Sequence, residues 1–223
     1  MADLLVNGEF RQLWTIGMLT FIVRWLEILA FGVYGYAQTG STVVVAMLTM
    51  LRLLPMGLFG MLFGIMAARW SRRRGVFVYL WASWLTTLVL AFVAHAGMLE
   101  IWHLALASAV NGAAWAADNP FRRAMIGDAV GPLHMGLAMS LDVGASNASR
   151  LAGPAIGGLL LAHAGIEGIF VFGLLAYSGA LLAARPIGSQ QADGTGQGQP
   201  AASARRRTAR GAARVHAWPA PSG

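Results

Sequence analysis

The sequence predicts an all-α membrane protein with six transmembrane helices and both termini in the cytoplasm. Of its 223 residues, 57% are hydrophobic and only 11% are charged, and the mean hydropathy is +0.61. A soluble domain usually carries about 25% charged residues, so this chain has too little polar surface to cover a water-soluble fold. Arginines between the apolar runs indicate the orientation, because positive charge beside a span stays on the cytoplasmic side.

Six apolar segments approach or exceed the roughly 20 residues of helix that a hydrocarbon core requires. The predicted spans cover residues 12–36, 42–68, 75–97, 101–118, 135–163 and 167–184. The connections at 37–41, 98–100 and 164–166 contain no arginine. The other two connections, 69–74 and 119–134, contain Arg69, Arg72, Arg73, Arg74, Arg122 and Arg123. This alternation predicts a multi-pass protein of the plasma (inner) membrane, with residues 1–184 as one transmembrane domain that contacts the lipid bilayer.

Residues 185–223 differ in composition and form the predicted second region. They are rich in Arg, Ala, Gly and Pro and hold too little apolar surface to fold alone, which predicts a disordered basic tail. The alternative to a solvated tail is contact with anionic lipid through Arg205, Arg206 and Arg207.

Composition excludes several classes of function. The chain has no cysteine and all 16 basic residues are arginine, so it has neither a thiolate metal site nor the lysine of a Walker A loop. Topology explains most of the arginines without a nucleic-acid partner. His95, His103 and His163 lack a fixed ligand spacing, so no metal site is predicted. No nucleophile–base pair shares a helix face, so we expect neither an enzyme nor a cofactor.

Polar side chains within the apolar segments are the candidate functional residues. Charged groups at the centre of a span are costly, so they normally face a partner or water. Spans 1, 2, 4 and 5 hold these residues and are predicted to surround a polar interior, with spans 3 and 6 outside them. The candidates for substrate binding or proton coupling are Glu27, Arg24, Arg52, Asn111, Asp118, Asp142 and Arg150.

Spans 1 and 2 form a predicted hairpin, which allows residues at equal depth to be matched. The turn falls near residues 39–40, so Glu27 and Arg52 should lie level and form an ion pair, with Arg24 one turn toward the cytoplasm. A purely structural ion pair and a protonatable coupling site are the two alternatives for Glu27. Asp142 and Arg150 are eight positions apart, about 80° around a helix, so no pair is expected between them.

Four groups of residues resemble a known family. They are residues 10–14 (FRQLW) with 39–41 (TGS) and 52–55 (RLLP), residues 64–73 (GIMAARWSRR), residues 119–124 (NPFRRA) and residues 153–158 (GPAIGG). Together they look like the N-terminal half of a major facilitator superfamily (MFS) exporter, in the branch that contains the enterobactin exporters and related drug-efflux proteins. The resemblance covers roughly residues 10–184.

The resemblance implies proton-coupled efflux of a small amphipathic molecule by alternating access, with the substrate and protons as partners. It implies Glu27 as the coupling acid, with Arg24 and Arg52 adjusting its affinity for protons or binding an anionic substrate. The 64–74 loop would gate the path, and the residues that match its motif are Gly64, Arg69, Arg72 and Arg73. The glycine-proline motif of the fifth helix would allow close packing and bending through Gly153, Pro154, Gly157 and Gly158.

Two departures from the family pattern affect the functional expectation. The loop motif has Ala68 in place of an aspartate and Ser71 in place of a glycine. The family fold also has two six-helix halves with the substrate site between them, whereas this chain has one. We therefore expect a truncated or frameshifted copy. A homodimerising half-transporter is a second possibility, and a non-transporting membrane scaffold or inactive remnant is the alternative.

Overall fold

The computed structural model describes residues 7–185, all of which lie in helices or in short connections between helices. The helices are α1 (Gly8–Thr39), α2 (Thr42–Arg69), α3 (Arg72–His95) and α4 (Ile101–Ala184). Each of the four is long and apolar enough to cross a membrane. The fold is therefore that of an α-helical membrane protein. The predicted tail lies outside the described residues.

The ends of the first helices follow from local capping. The Asn7 side chain accepts hydrogen bonds from the backbone N–H groups of Glu9 (3.1 Å) and Phe10 (3.2 Å), which starts α1. Gly40 ends α1 with a left-handed φ of 64°, so the chain turns back into α2 within two residues. The Ser71 hydroxyl caps α3 through the N–H of Arg74 (3.2 Å). The α1–α2 and α2–α3 connections are short because Gly40 ends one helix and Ser71 caps the next at these positions.

Helix α4 is long but not continuous, because two glycines inside it have non-helical backbone angles. Gly131 has φ 69° and ψ 176°, and Gly165 has φ 61° and ψ −163°. These angles are accessible to glycine and costly for other residues, and Pro132 directly after Gly131 reinforces the first break. The breaks divide α4 into residues 101–130, 132–164 and 166–184. Each break lies within a connection that the sequence predicted.

The boundary of the first α4 segment corrects the predicted connection at 119–134. Residues 119–130 are helical, so Arg122 and Arg123 lie on a helix and not in a loop. The sequence suggested a loop because Asn119-Pro120 and two adjacent arginines are typical of one. The helix instead places the guanidinium of Arg122 inside the protein, as described below.

The apolar core consists of two clusters that meet at the middle of α1. One cluster contains Phe10, Leu13 and Val23 of α1, and the other contains Leu26 and Phe31. The buried charged residues of α1, Arg24 and Glu27, stand at this junction. The helix packing thus places a polar layer between two apolar layers.

Candidate functional site

The first group of buried polar side chains joins three helical segments around one carboxylate. Arg52 Nη2 donates to Glu27 Oε2 at 2.8 Å, and Asn111 Nδ2 donates to the same oxygen at 3.0 Å. Glu27 is only 1% exposed. The ion pair predicted from the α1–α2 hairpin is therefore present, and the structure adds Asn111 as its third member.

A glycine allows these groups to come together. Gly112 lies against the backbone of α2, where a Cβ atom would overlap the carbonyl oxygen of Arg52. Only a residue without a side chain permits α4 to approach α2 this closely. The approach brings the neighbouring Asn111 within hydrogen-bonding distance of Glu27.

The second group is centred on Arg122, a residue that the sequence placed in a loop. Arg122 Nε donates to Asp118 at 2.9 Å, and its Nη1 donates to Asp142. Arg24 Nη2 contacts the other oxygen of Asp118 at 3.3 Å. The Arg122 side chain is 0% exposed, so both carboxylates hold it inside the bundle. The spacing of Asp118 and Arg122, four residues apart on a helix, was the available sequence signal.

A second glycine accommodates Arg122. A Cβ atom at Gly17 of α1 would lie 2.8 Å from Nη1 and 3.1 Å from the central guanidinium carbon. Arg123, in contrast, is 46% exposed and approaches Asp142 only at 3.5 Å. Adjacent arginines thus have different environments, one internal and one at the surface.

Each of the two groups is balanced in charge. They contain three arginines and three carboxylates, all of them buried: Arg24, Arg52, Arg122, Glu27, Asp118 and Asp142. Balanced pairing is how ionisable residues are normally tolerated in a membrane interior. Several atoms in these groups have no hydrogen-bond partner among the described residues, including Glu27 Oε1, Asn111 Oδ1 and Arg52 Nη1.

A cavity of about 10 Å³ lies between the two groups. Its size is near the lower limit for one water molecule. Besides Arg24 and Arg52, its lining includes Tyr79 and Ser83 of α3 and Tyr177 of the last α4 segment. The expectation that spans 3 and 6 lie outside the polar interior is therefore wrong. Tyr79, Ser83 and Tyr177 looked like isolated polar residues on apolar helices in the sequence, but all three line this cavity.

Arg150 is separate from both groups. It is exposed, and its guanidinium carbon lies 4.8 Å from the ring centroid of Trp25. Trp25 in turn packs edge-to-face against Trp115 at 6.4 Å between centroids, and Arg24 lies 4.7 Å from the centroid of Trp115. As expected, Arg150 does not pair with Asp142, which is bound by Arg122.

The start of α3 contacts the ends of the first and last segments of α4. Arg72 contacts the carboxylate of Asp128 and donates to the carbonyl oxygen of Ala124 at 3.4 Å. Arg73 donates to the carbonyl oxygen of Arg185 at 2.9 Å. The two other motif residues, Gly64 and Arg69, are exposed. The arginines at the start of α3 therefore bind α4 at the end of the bundle that carries the arginine-rich loop.

The glycine-proline motif of the middle α4 segment packs against α1 through two of its four residues. A Cβ atom at Gly153 would lie 2.6 Å from Trp25 Cβ and 3.0 Å from the Ile22 carbonyl oxygen. One at Gly157 would meet Leu29 at 3.3 Å. Gly158 has no neighbour within 4 Å, and Pro154 is half-buried. Close contact between the two helices is thus supplied by Gly153 and Gly157.

Long apolar helices that enclose paired charges define a multi-pass membrane protein, and buried ionisable side chains of this kind are typical of transporters. The chain belongs to the MFS family described as transmembrane secretion effector, which it matches over residues 3–191. No curated protein sequence matches it at a significant level. Family membership makes this protein a membrane transporter of the MFS type. Among residues 7–185, no cluster of three or more potential ligands is placed to hold a metal ion.

Proposed function

We propose that this chain is one six-span half of an exporter that moves a small amphipathic molecule out of the cytoplasm across the inner (plasma) membrane, in exchange for protons. The observation that carries the proposal is the environment of Glu27. Its carboxylate is buried, one oxygen is held by Arg52 and Asn111, and the other has no partner among the described residues. A carboxylate with a free oxygen can accept a proton without first losing its hydrogen bonds.

Protonation of Glu27 gives a direct route from proton binding to helix movement. The ion pair with Arg52 joins α1 to α2, and a neutral Glu27 leaves the arginine as an uncompensated buried charge. Breaking a buried ion pair from one side costs about 3–5 kcal/mol. We propose that this cost shifts α2 relative to α1 and drives the alternation between inward-open and outward-open states.

Alternating access in the MFS fold takes place between two six-helix halves, and we propose that the six spans described here work against a second half. The surface of α2 supports this proposal. Only Leu48, Arg52, Pro55 and Ala67 of this helix are buried, and Met61 is 80% exposed. A helix with so little internal packing has a large surface available for another half.

The experiment compares Glu27→Gln with Glu167→Gln, an equivalent change at an exposed carboxylate near the opposite end of the bundle from the arginine-rich loop. Cells that express the full chain are loaded with ethidium, a cation, or with naphthalene-1-sulfonate, an anion, and efflux is followed with and without a proton gradient. We expect gradient-dependent efflux of at least one probe for the unmodified chain and for Glu167→Gln, but not for Glu27→Gln. Equal gradient-driven efflux from Glu27→Gln would remove Glu27 from the coupling mechanism.

No gradient-dependent efflux of either probe from any variant would instead favour a non-transporting scaffold or an inactive half.

A further inference from the structure

Arg150 is the charged side chain whose position the proposed function leaves unexplained. It lies near the middle of residues 132–164, at the level of Trp25 in the middle of α1. It is exposed, and among residues 7–185 it has neither an ion pair nor a hydrogen bond from its side chain. A charged residue at this depth is costly next to lipid, so the face that carries it should meet water or an anion.

The surroundings of Arg150 are aromatic. The face of Trp25 lies beneath its guanidinium, and the ring of Trp115 stands against Trp25. Both tryptophans are partly exposed. Together, Arg150, Trp25 and Trp115 present one cation beside two large rings, which we call the Arg–Trp face.

The Arg–Trp face is built into the helix packing. Gly153 follows Arg150 by one turn and lies against Trp25 Cβ and the Ile22 carbonyl oxygen. This contact fixes the middle α4 segment on α1 and sets the height of Arg150 above the Trp25 ring. Residues that hold a side chain in place before a ligand arrives reduce the cost of binding.

The buried arginines are already neutralised by carboxylates. Arg24 is bound to Asp118, and Arg52 is bound to Glu27. An anionic substrate would have to displace a carboxylate to reach either of them. Arg150 needs no such exchange.

We propose that the Arg–Trp face binds the anionic group and the ring of the exported molecule, so that the substrate class is an aromatic or similarly flat amphipath with a sulfonate, carboxylate or phosphate group. This inference rests on the proposed function, because it assigns a substrate to the same transporter. Arginine suits the anion because its guanidinium can donate two parallel hydrogen bonds to it, and the tryptophan rings suit the flat apolar part.

The test measures binding of two isosteric probes to the full chain in a non-ionic detergent. Naphthalene-1-sulfonate carries a negative charge, whereas naphthalene-1-sulfonamide is neutral near pH 7. Binding is measured by equilibrium dialysis for the unmodified chain, for Arg150→Gln and for Arg11→Gln, which removes the same charge from an exposed position at the start of α1. We expect the unmodified chain to bind the sulfonate at least about tenfold more tightly than the sulfonamide, a ratio that corresponds to about 1.4 kcal/mol.

Arg150→Gln should abolish this preference, and Arg11→Gln should retain it. Two results would overturn the inference: equal binding of the two probes by the unmodified chain, or a preference that survives in Arg150→Gln. The unmodified chain could also lack the sulfonate preference and form a dimer that dissociates on Arg150→Gln substitution. That result would overturn the inference and assign Arg150 to a carboxylate of a second copy.

The experiments distinguish failure of the proposed binding site from failure of the proposed transport function. A sulfonate preference that depends on Arg150, without any proton-driven efflux, would keep the binding site and reject the exporter. Proton-driven efflux of ethidium with no sulfonate preference would keep the exporter and reject the anionic substrate class.

Discussion

At the residue scale, the arginines within the helices differ in how completely they are paired with carboxylates. Arg122 is fully enclosed and bound by two carboxylates, Arg52 and Arg24 are each bound by one, and Arg150 is bound by none within residues 7–185. A fully paired arginine stabilises the bundle, whereas the charge of an unpaired arginine remains available to bind an anion. The same residue type therefore has different expected effects on substitution.

Substitution of Arg122 should destabilise the protein strongly. Arg122→Gln leaves Asp118 and Asp142 without their shared cation, and removal of one partner of a buried ion pair costs about 3–5 kcal/mol. Arg123→Gln is the matched control, because the Arg123 side chain is 46% exposed and approaches Asp142 only at 3.5 Å, so its loss should cost much less. Thermal unfolding in mild detergent measures both. Equal unfolding temperatures for the two variants would show that the Arg122 pairs add no stability.

Hairpin geometry was enough to predict the Glu27–Arg52 ion pair from the sequence. Local motifs were misleading for the group around Arg122. Glu27 and Arg52 are equidistant from a tight turn, so their depth could be matched without any knowledge of packing. The partners of Arg122 lie on two segments separated by the break at Gly131, whose geometry the sequence does not specify. Inward-facing Tyr79 and Tyr177 were missed because a single polar residue on an apolar helix gives no periodic signal.

At the element scale, glycines determine which helices approach closely. Gly112 lies against the α2 backbone, Gly153 lies against α1, and Gly131 interrupts α4. The first two require the absence of a side chain and the third requires an unusual φ. Alanine substitutions separate these two requirements.

Gly112→Ala should disturb the α2–α4 contact, because the added methyl group overlaps the carbonyl oxygen of Arg52 and the backbone must move. Overpacking of this kind costs about 1–3 kcal/mol. Gly158→Ala is the control, since no atom lies within 4 Å of the new methyl group and alanine favours helix. We expect a lower unfolding temperature for the first variant and an unchanged or higher one for the second.

Gly131→Ala should weaken the break in α4 for a conformational reason. The position has space for a methyl group but a φ of 69°, and holding a non-glycine residue in such a region costs about 1–3 kcal/mol. Gly136→Ala, in the helix that follows and also without a neighbour within 4 Å, is the control. Unfolding temperatures in detergent compare the two. A Gly131→Ala chain as stable as Gly136→Ala would show that the break tolerates an ordinary residue.

At the scale of the whole molecule, the chain matches an MFS family, and the described residues supply four long apolar helices, the last divided by two breaks. An MFS transport path needs two six-helix halves, and we propose that exposed surface such as that of α2 can bind a second copy of this chain. The apolar segments could be predicted from hydropathy alone. Which surfaces remain uncovered depends on the packing of the segments, which hydropathy does not report.

Self-assembly predicts a particle of twice the 23.6 kDa chain mass in a mild non-ionic detergent. Light scattering coupled to size exclusion, corrected for bound detergent, measures this mass directly. Leu53→Glu, which places a charge on an exposed apolar position of α2, should shift the particle toward the single-chain mass. A strictly single-chain particle for the unmodified protein would show that the exposed surface of α2 does not bind a second copy.

Coupling of proton movement to export at Glu27 is the central claim, and proton flux into liposomes tests it most directly. The purified chain is reconstituted with the pH-sensitive dye pyranine trapped inside, and naphthalene-1-sulfonate or ethidium is supplied across an imposed pH gradient. We predict probe-dependent proton movement for the unmodified chain and for Glu167→Gln, and none for Glu27→Gln. Probe-dependent proton movement of equal rate in Glu27→Gln would contradict the claim and leave the Glu27–Arg52 pair with a structural role only.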